Sequence, residues 1–328
     1  MYSITDYLWM LADETRVAAY AAAIRATVRP GDRVLEVGAG FGFFSVLAAR
    51  AGAAHVDAVD TNPAVQLGPR LAAANGCADR VRFHQLDAEH LELPHRADVL
   101  ISDLRGPTPF ARRSVATLIR VRQRLLRDGG ALVPRADTLF AAPCGVPEAV
   151  RRDVRAAFGR EEVDTSPIER IVLDTPYRCA IQPADLIADG RQWARLEYGS
   201  VLTPDAQGDA EWTFAGPETL AGFAVWFDTE LTETIGFSSA PGTAVRVYNQ
   251  VFLPLRPPLA IGRDERVRVR IALRLVHDDY IWAWTVWAAP AGGHEREVAR
   301  QNSIADAVLD PVLLHRQLAA KPTAGLTG

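Results

Sequence analysis

Residues 34–42 read VLEVGAGFG. The apolar run around Glu36 is short enough for a buried strand, and FFSVLAARAG (43–52) behind it reads as a helix closed by Gly52. Between them stand Gly38, Gly40 and Gly42. Glycines at a strand-to-helix turn allow a tight bend and let a ligand approach the backbone. The dinucleotide pattern G-x-G-x-x-G needs a third glycine where this chain has Phe43. A turn of the right shape is therefore present without the full signature of a pyrophosphate site.

Working outward, the same alternation continues on both sides. DETRVAAYAAAIRATV (13–28) reads as a helix, closed by Arg29, Pro30 and Gly31. Downstream come HVDAVD (strand), PAVQLGPRLAAANG (helix), RVRFHQLD (strand), ADVLISD (strand), ARRSVATLIRVRQRLLRDGG (helix) and ALVP (strand). Strands alternating with helices of this length predict a parallel sheet covered on both faces, an α/β fold of Rossmann-like type. After Pro134 the pattern changes to short alternating runs such as GFAVWFDTEL, RVRVRIALRL and YIWAWTVWA. In RVRVRI, Arg266, Arg268 and Arg270 fall on one face and Val267, Val269 and Ile271 on the other, which predicts a β-barrel or sandwich. EAVRRDVRAAFG (148–159) is a helical interruption. The expected division is 1–134 and 135–328.

The bulk numbers set limits. A chain of 328 residues with 48% hydrophobic and 23% charged residues buries a sizeable core. Its net charge of −4 gives no general reason to bind nucleic acid. Lys321 is the only lysine, so the cations are almost all arginine, and those at 120, 122, 124 and 127 read as the solvated face of a helix. Cys77, Cys144 and Cys179 show neither a disulfide framework nor zinc spacing, which suits a cytoplasmic setting. The opening MYSITDYLWMLADETR lacks the basic start of a signal peptide, and no apolar run is long enough for a membrane span.

Glu36 two residues before the first glycine, with Asp60 ending the next strand, resembles the class I S-adenosylmethionine (SAM) methyltransferases. SAM has a sulfonium and an ammonium but no phosphate, so a nearby acid is tolerable. A carboxylate at Asp60 can accept both ribose hydroxyls. The similarity then narrows. MLADETRVAAYAAAI, the glycine loop, DAEHLELP, ISDLRG, GFAVWFDTEL and FSSAPGTAVRVYNQVFLPL occur in one order. That order resembles the protein arginine methyltransferase family over nearly the whole chain. The resemblance implies a Rossmann-like SAM domain followed by a β-barrel, with a helical dimerisation arm at about 146–176 and hence a homodimer. It assigns Arg16 to the SAM carboxylate, Met10 to the sulfonium and Glu89 to the adenine amino group.

At the acceptor end the chain departs from that family. The family holds a substrate guanidinium with two glutamates on one loop; the matching positions here are Asp103 and Arg112. Its Thr-His-Trp loop aligns with Val245, Arg246 and Val247, and an apolar methionine is replaced by Arg105. Two unit charges about 4 Å apart at an effective dielectric near 20 interact by roughly 4 kcal/mol, so exchanging an acid for an arginine disfavours a cationic acceptor by several kcal/mol. The expected enzyme is a SAM-dependent methyltransferase acting on an amine of a small-molecule or peptide acceptor that bears an anionic group, as in a tailoring step of specialised metabolism. Asp103 would hold the nucleophile, with Arg105, Arg112 and Arg246 receiving the anion. The alternatives are protein arginine methylation with a substitute acid, and a SAM-binding interaction protein without turnover.

Overall fold

A computed structural model describes residues 2–157, 163–166, 175–245 and 247–304. Its first half is a five-stranded parallel sheet. The strands are β1 (Arg33–Val37), β2 (His55–Asp60), β3 (Val81–Gln85), β4 (Ala97–Ser102) and β5 (Leu126–Val133), in spatial order β3-β2-β1-β4-β5. Helices α1 (Ile4–Leu11) and α2 (Glu14–Thr27) precede the sheet, while α3 (Phe43–Arg50), α4 (Gly68–Ala74) and α5 (Ser114–Leu125) connect its strands. β1, β2 and β4 are buried along most of their length, as parallel strands covered on both faces must be.

The strand order places the site. From β1 the chain winds outward through β2 to β3, then returns to lay β4 on the other side of β1. Ligands of open α/β sheets bind beyond the carboxyl ends of strands at such a reversal. Val37 and Ser102 are partners across β1 and β4, so the glycine loop and Asp103 emerge side by side.

Two helices differ from their expected lengths. The arginine-rich one ends at Leu125, because Leu126 is extended (φ −94°, ψ 137°) and already opens β5. The segment from Pro63 divides into a 3-10 turn (Pro63–Leu67) and α4, where Pro69 near the helix start cannot donate a backbone hydrogen bond. Nor are all the arginines of α5 a solvated face: Arg122 donates to the carbonyls of Tyr198 and Val201 at 2.5 and 2.6 Å, fastening α5 to the second half of the chain.

That second half is antiparallel. A six-stranded sheet contains β6 (Ala136–Cys144), β7 (Tyr177–Cys179), β8 (Arg191–Glu197), β10 (Glu218–Glu230), β11 (Gly236–Ser238) and β12 (Gln250–Ile261). A four-stranded sheet contains β9 (Ala206–Thr213), β13 (Arg266–Val276), β14 (Asp279–Ala289) and β15 (Arg296–Asn302). Val267, Val269 and Ile271 turn inward against Trp212, Phe223 and Trp284, as the alternation predicts, and this core is continuous with the α5 side of the parallel sheet. Pro254, Pro257 and Pro258 are tolerated in β12 because β7 pairs only with Gln250–Phe252, so no strand ladder among the described residues needs their missing N–H on the rest of that edge. The expected arm at about 146–176 lies partly outside the described residues; within them, α6 spans Glu148–Ala157.

Candidate active site

The cofactor end is built by backbone shape. Gly38 and Gly40 have φ of 78° and 56°, in the left-handed region where a side chain is strained. A Cβ would also crowd its neighbours: on Gly38 it would require Leu104 to shift, and on Gly40 the ring of Tyr7 on α1. Gly42 caps α3. Asp60, at the end of β2, accepts from the Gly40 and Asn62 amides, both at 2.7 Å, and so braces the loop with one lone pair from each oxygen. A carboxylate has about four such acceptor positions, which leaves capacity for ribose hydroxyls.

Glu36 is buried beneath the loop and accepts from the Ser45 hydroxyl. Burial pushes its pKa up to about 8 against the opposing effect of that hydrogen bond. Glu89 sits on a 3-10 turn (Ala88–His90) with its carboxylate anchored by Thr117 at 3.0 Å, Arg120 at 3.1 Å and Arg113 at 3.2 Å. Met10, near the end of α1, offers its carbonyl to Arg16 Nη1 at 3.0 Å.

At the acceptor end, side chains from both halves of the chain converge. Asp103 follows β4 and its side chain is 6% exposed. Arg16 on α2 approaches it through Nε and Nη2, both at 2.6 Å, and Arg105 Nε donates at 3.0 Å. The Tyr248 hydroxyl lies 2.8 Å from both Asp103 oxygens and accepts from Arg16 Nε at 3.1 Å. Burial alone would raise the Asp103 pKa; Arg16 and Arg105 outweigh it and hold the group below its ordinary value. Burial also works against the charge on Arg16, and the facing Asp103 overrides it.

Arg105 extends this network into the antiparallel half. Its Nη1 donates to Asp137 on β6 at 2.9 Å and to Thr229 on β10 at 2.6 Å, and Nη2 donates to the Tyr20 hydroxyl. Asp137 is fully buried and also accepts from Tyr198 at 2.7 Å. The rings of Tyr20, Phe227, Phe237 and Tyr248 surround the guanidinium at 5.3 to 5.7 Å.

These positions correct one expectation. Arg105 does not face outward to receive an anion: its side chain is 3% exposed, and all three of its nitrogens donate to internal groups. It is separated from Arg112, which is exposed, has φ 49° and makes no hydrogen bond or ion pair among the described residues. Arg246 lies outside those residues. The sequence reading did not single out Tyr20, Asp137, Tyr198, Thr229 or Tyr248. Asp137 had a signal, a lone acid in the strand ADTLFAAPC, where an unpaired charge is costly to bury.

The groups present suit a cofactor with a carboxylate, a ribose and a sulfonium: the Arg16 guanidinium, the Asp60 carboxylate with acceptor capacity to spare, and a loop whose glycines put no side chain between them. A methyltransferase domain family model matches residues 34–130. The chain is 25% identical to protein arginine N-methyltransferase 6 of Xenopus laevis, over 80% of this chain and 82% of that protein. It is also 25% identical to the Danio rerio protein of the same name, over 82% of each. Among solved structures it superposes on Arabidopsis thaliana protein arginine methyltransferase 10 with a TM-score of 0.77 at 19% identity, covering 89% of this chain and 95% of that one. A Trypanosoma brucei PRMT1 enzyme–prozyme complex with AdoHcy gives a TM-score of 0.77 at 18% identity, over 90% and 97%. The chain is a SAM-dependent methyltransferase that resembles the protein arginine methyltransferases in sequence and in fold over most of its length.

Proposed function

We propose that the enzyme methylates an amine nitrogen of a small molecule or peptide that also carries an anionic group. The observation that carries this reading is the state of Asp103. Its charge is already shared by Arg16 and Arg105, and Tyr248 lies against both of its oxygens. A guanidinium acceptor would have to displace an internal arginine to reach it. Arg112, on the same loop and without a partner among the described residues, supplies a positive charge for the anionic end of the acceptor.

SAM supplies an electrophilic methyl group, so the protein's work is to position and desolvate the nucleophile. Arg16 holds the cofactor carboxylate while it is itself held by Asp103. The edge of Asp103 beside the Tyr248 hydroxyl orients the acceptor N–H. Nearby arginines disfavour a protonated amine, so the acceptor binds as the neutral nucleophile and its proton leaves to water after transfer. Asp103, held ionised, orients better than it abstracts. The proposal includes a cytoplasmic homodimer formed through the segment at about 146–176.

A second reading, arginine methylation, is favoured by the relatives' names and by Asp137, a second buried acid near Asp103. Transfer of labelled methyl from SAM separates the two. With an arginine–glycine peptide and a fractionated cell extract as parallel acceptors, label is expected only in extract fractions retained on an anion-exchange resin. Label on the peptide would establish the second reading.

A further inference from the structure

We propose that Arg105 is a built-in occupant of a guanidinium cage, and that it sets acceptor specificity by filling that cage from within. The cage is complete in its chemistry. Asp103 and Asp137 approach two different nitrogens of the Arg105 guanidinium, at 3.0 and 2.9 Å. Hydroxyl oxygens of Thr229 and Tyr20 accept from its remaining nitrogen donors. Four aromatic rings enclose it, and such rings favour a flat, weakly hydrated cation over ammonium.

A buried arginine is commonly explained as a fastener between elements, and this one does join the β4 loop to β6 and β10. A fastener needs one good carboxylate partner. Here every nitrogen is matched, and one of the two acids is Asp103, which also grips Arg16. The group that would attract a cationic acceptor is thereby occupied by a cation that cannot leave. This deepens the proposed function, on which its bearing on specificity rests: exclusion of guanidinium acceptors becomes a property of one side chain.

The cage makes a prediction that a simple fastener does not. In Arg105→Ala the two acids and four rings remain around a cavity shaped for guanidinium. We expect methyl transfer to fall at least tenfold and thermal stability to drop, and both to recover in millimolar guanidinium. Urea and potassium at equal concentration serve as controls and should not restore them, and the wild type should not respond. Adding Asp137→Asn to Arg105→Ala should abolish the recovery. If Arg105→Ala does not fold alone, its folded yield in guanidinium against urea reads the same cage. An Arg105→Ala protein that responds to guanidinium no more than the wild type does, or that urea rescues equally, would overturn the proposal. Wild-type acceptor preference plays no part in this readout. A failed rescue therefore leaves the anionic-acceptor reading standing, and label on an arginine peptide would sink that reading without touching the rescue.

Discussion

The two ends of the site are made in different ways. At the cofactor end the partners are close in the chain: Asp60 and Asn62 are 2 residues apart, Glu36 and Ser45 are 9 apart, and Gly40 and Asp60 are 20 apart. At the acceptor end Arg105 reaches Asp137 over 32 residues, Arg16 reaches Asp103 over 87, Arg105 reaches Thr229 over 124 and Tyr248 reaches Asp103 over 145. The first is a property of one strand-turn-helix unit and its neighbour. The second exists only after the parallel and antiparallel halves have docked. Cofactor binding can therefore persist on this architecture while acceptor chemistry is rewritten, since few residues serve both. In the proposed mechanism Arg16 and Asp103, joined at 2.6 Å, are the pair that couples them.

The largest effect should come from that coupling pair. Asp103→Ala leaves two buried arginines facing each other without their shared acid, and breaking a buried ion pair typically costs about 3–5 kcal/mol. Denaturant unfolding should show a loss of that order, with methyl transfer abolished and SAM affinity weakened. Unchanged SAM affinity in a folded variant would separate the two ends completely and break the coupling drawn here.

Next is the cofactor end, probed by pH. The folded-state pKa of Glu36 is raised from an ordinary 4.5 to about 8, so the protonated form is the one the fold prefers. Its contribution is fully present below about 4.5 and is lost as pH rises toward about 8, where the buried group ionises. Glu36→Gln, which keeps the shape without the charge, should flatten this part of the stability–pH curve. The difference from wild type should grow between those limits, on the order of a few kcal/mol. Parallel curves for the two proteins would show that Glu36 does not titrate in this window.

The smallest expected effect sharpens the division of labour. Tyr248→Phe removes one hydroxyl hydrogen bond to Asp103, a change of about 1–1.5 kcal/mol. We expect kcat to fall severalfold while SAM binding, measured by calorimetry, moves less. A larger loss in SAM affinity than in kcat would place Tyr248 with the cofactor end.

Legibility followed the same division. The β1–loop–α3 unit was readable because glycine spacing and apolar runs act within a few residues, and Val267, Val269 and Ile271 were readable because strand alternation alone decides which face they take. The boundary at Leu125 was not, because RLLRDGG has good helix formers and only pairing with β4 draws Leu126 into a strand. Arg105 was placed in the right loop and given the wrong partner. Its sequence neighbours point to an exposed turn, and the acid that buries it is on another sheet.

What the sequence determined by itself was the class of fold and the cofactor loop, since both rest on local backbone preference and periodic burial. Only the tertiary structure decided the charge state and occupancy of the acceptor end. An arginine in a loop is equally consistent with solvent and with burial until the carboxylates that surround it are known, and desolvating a charge is favourable only where such partners converge. Asp103, Asp137 and the four rings converge on Arg105 from distant parts of the chain, and that convergence is what the linear order of residues does not contain.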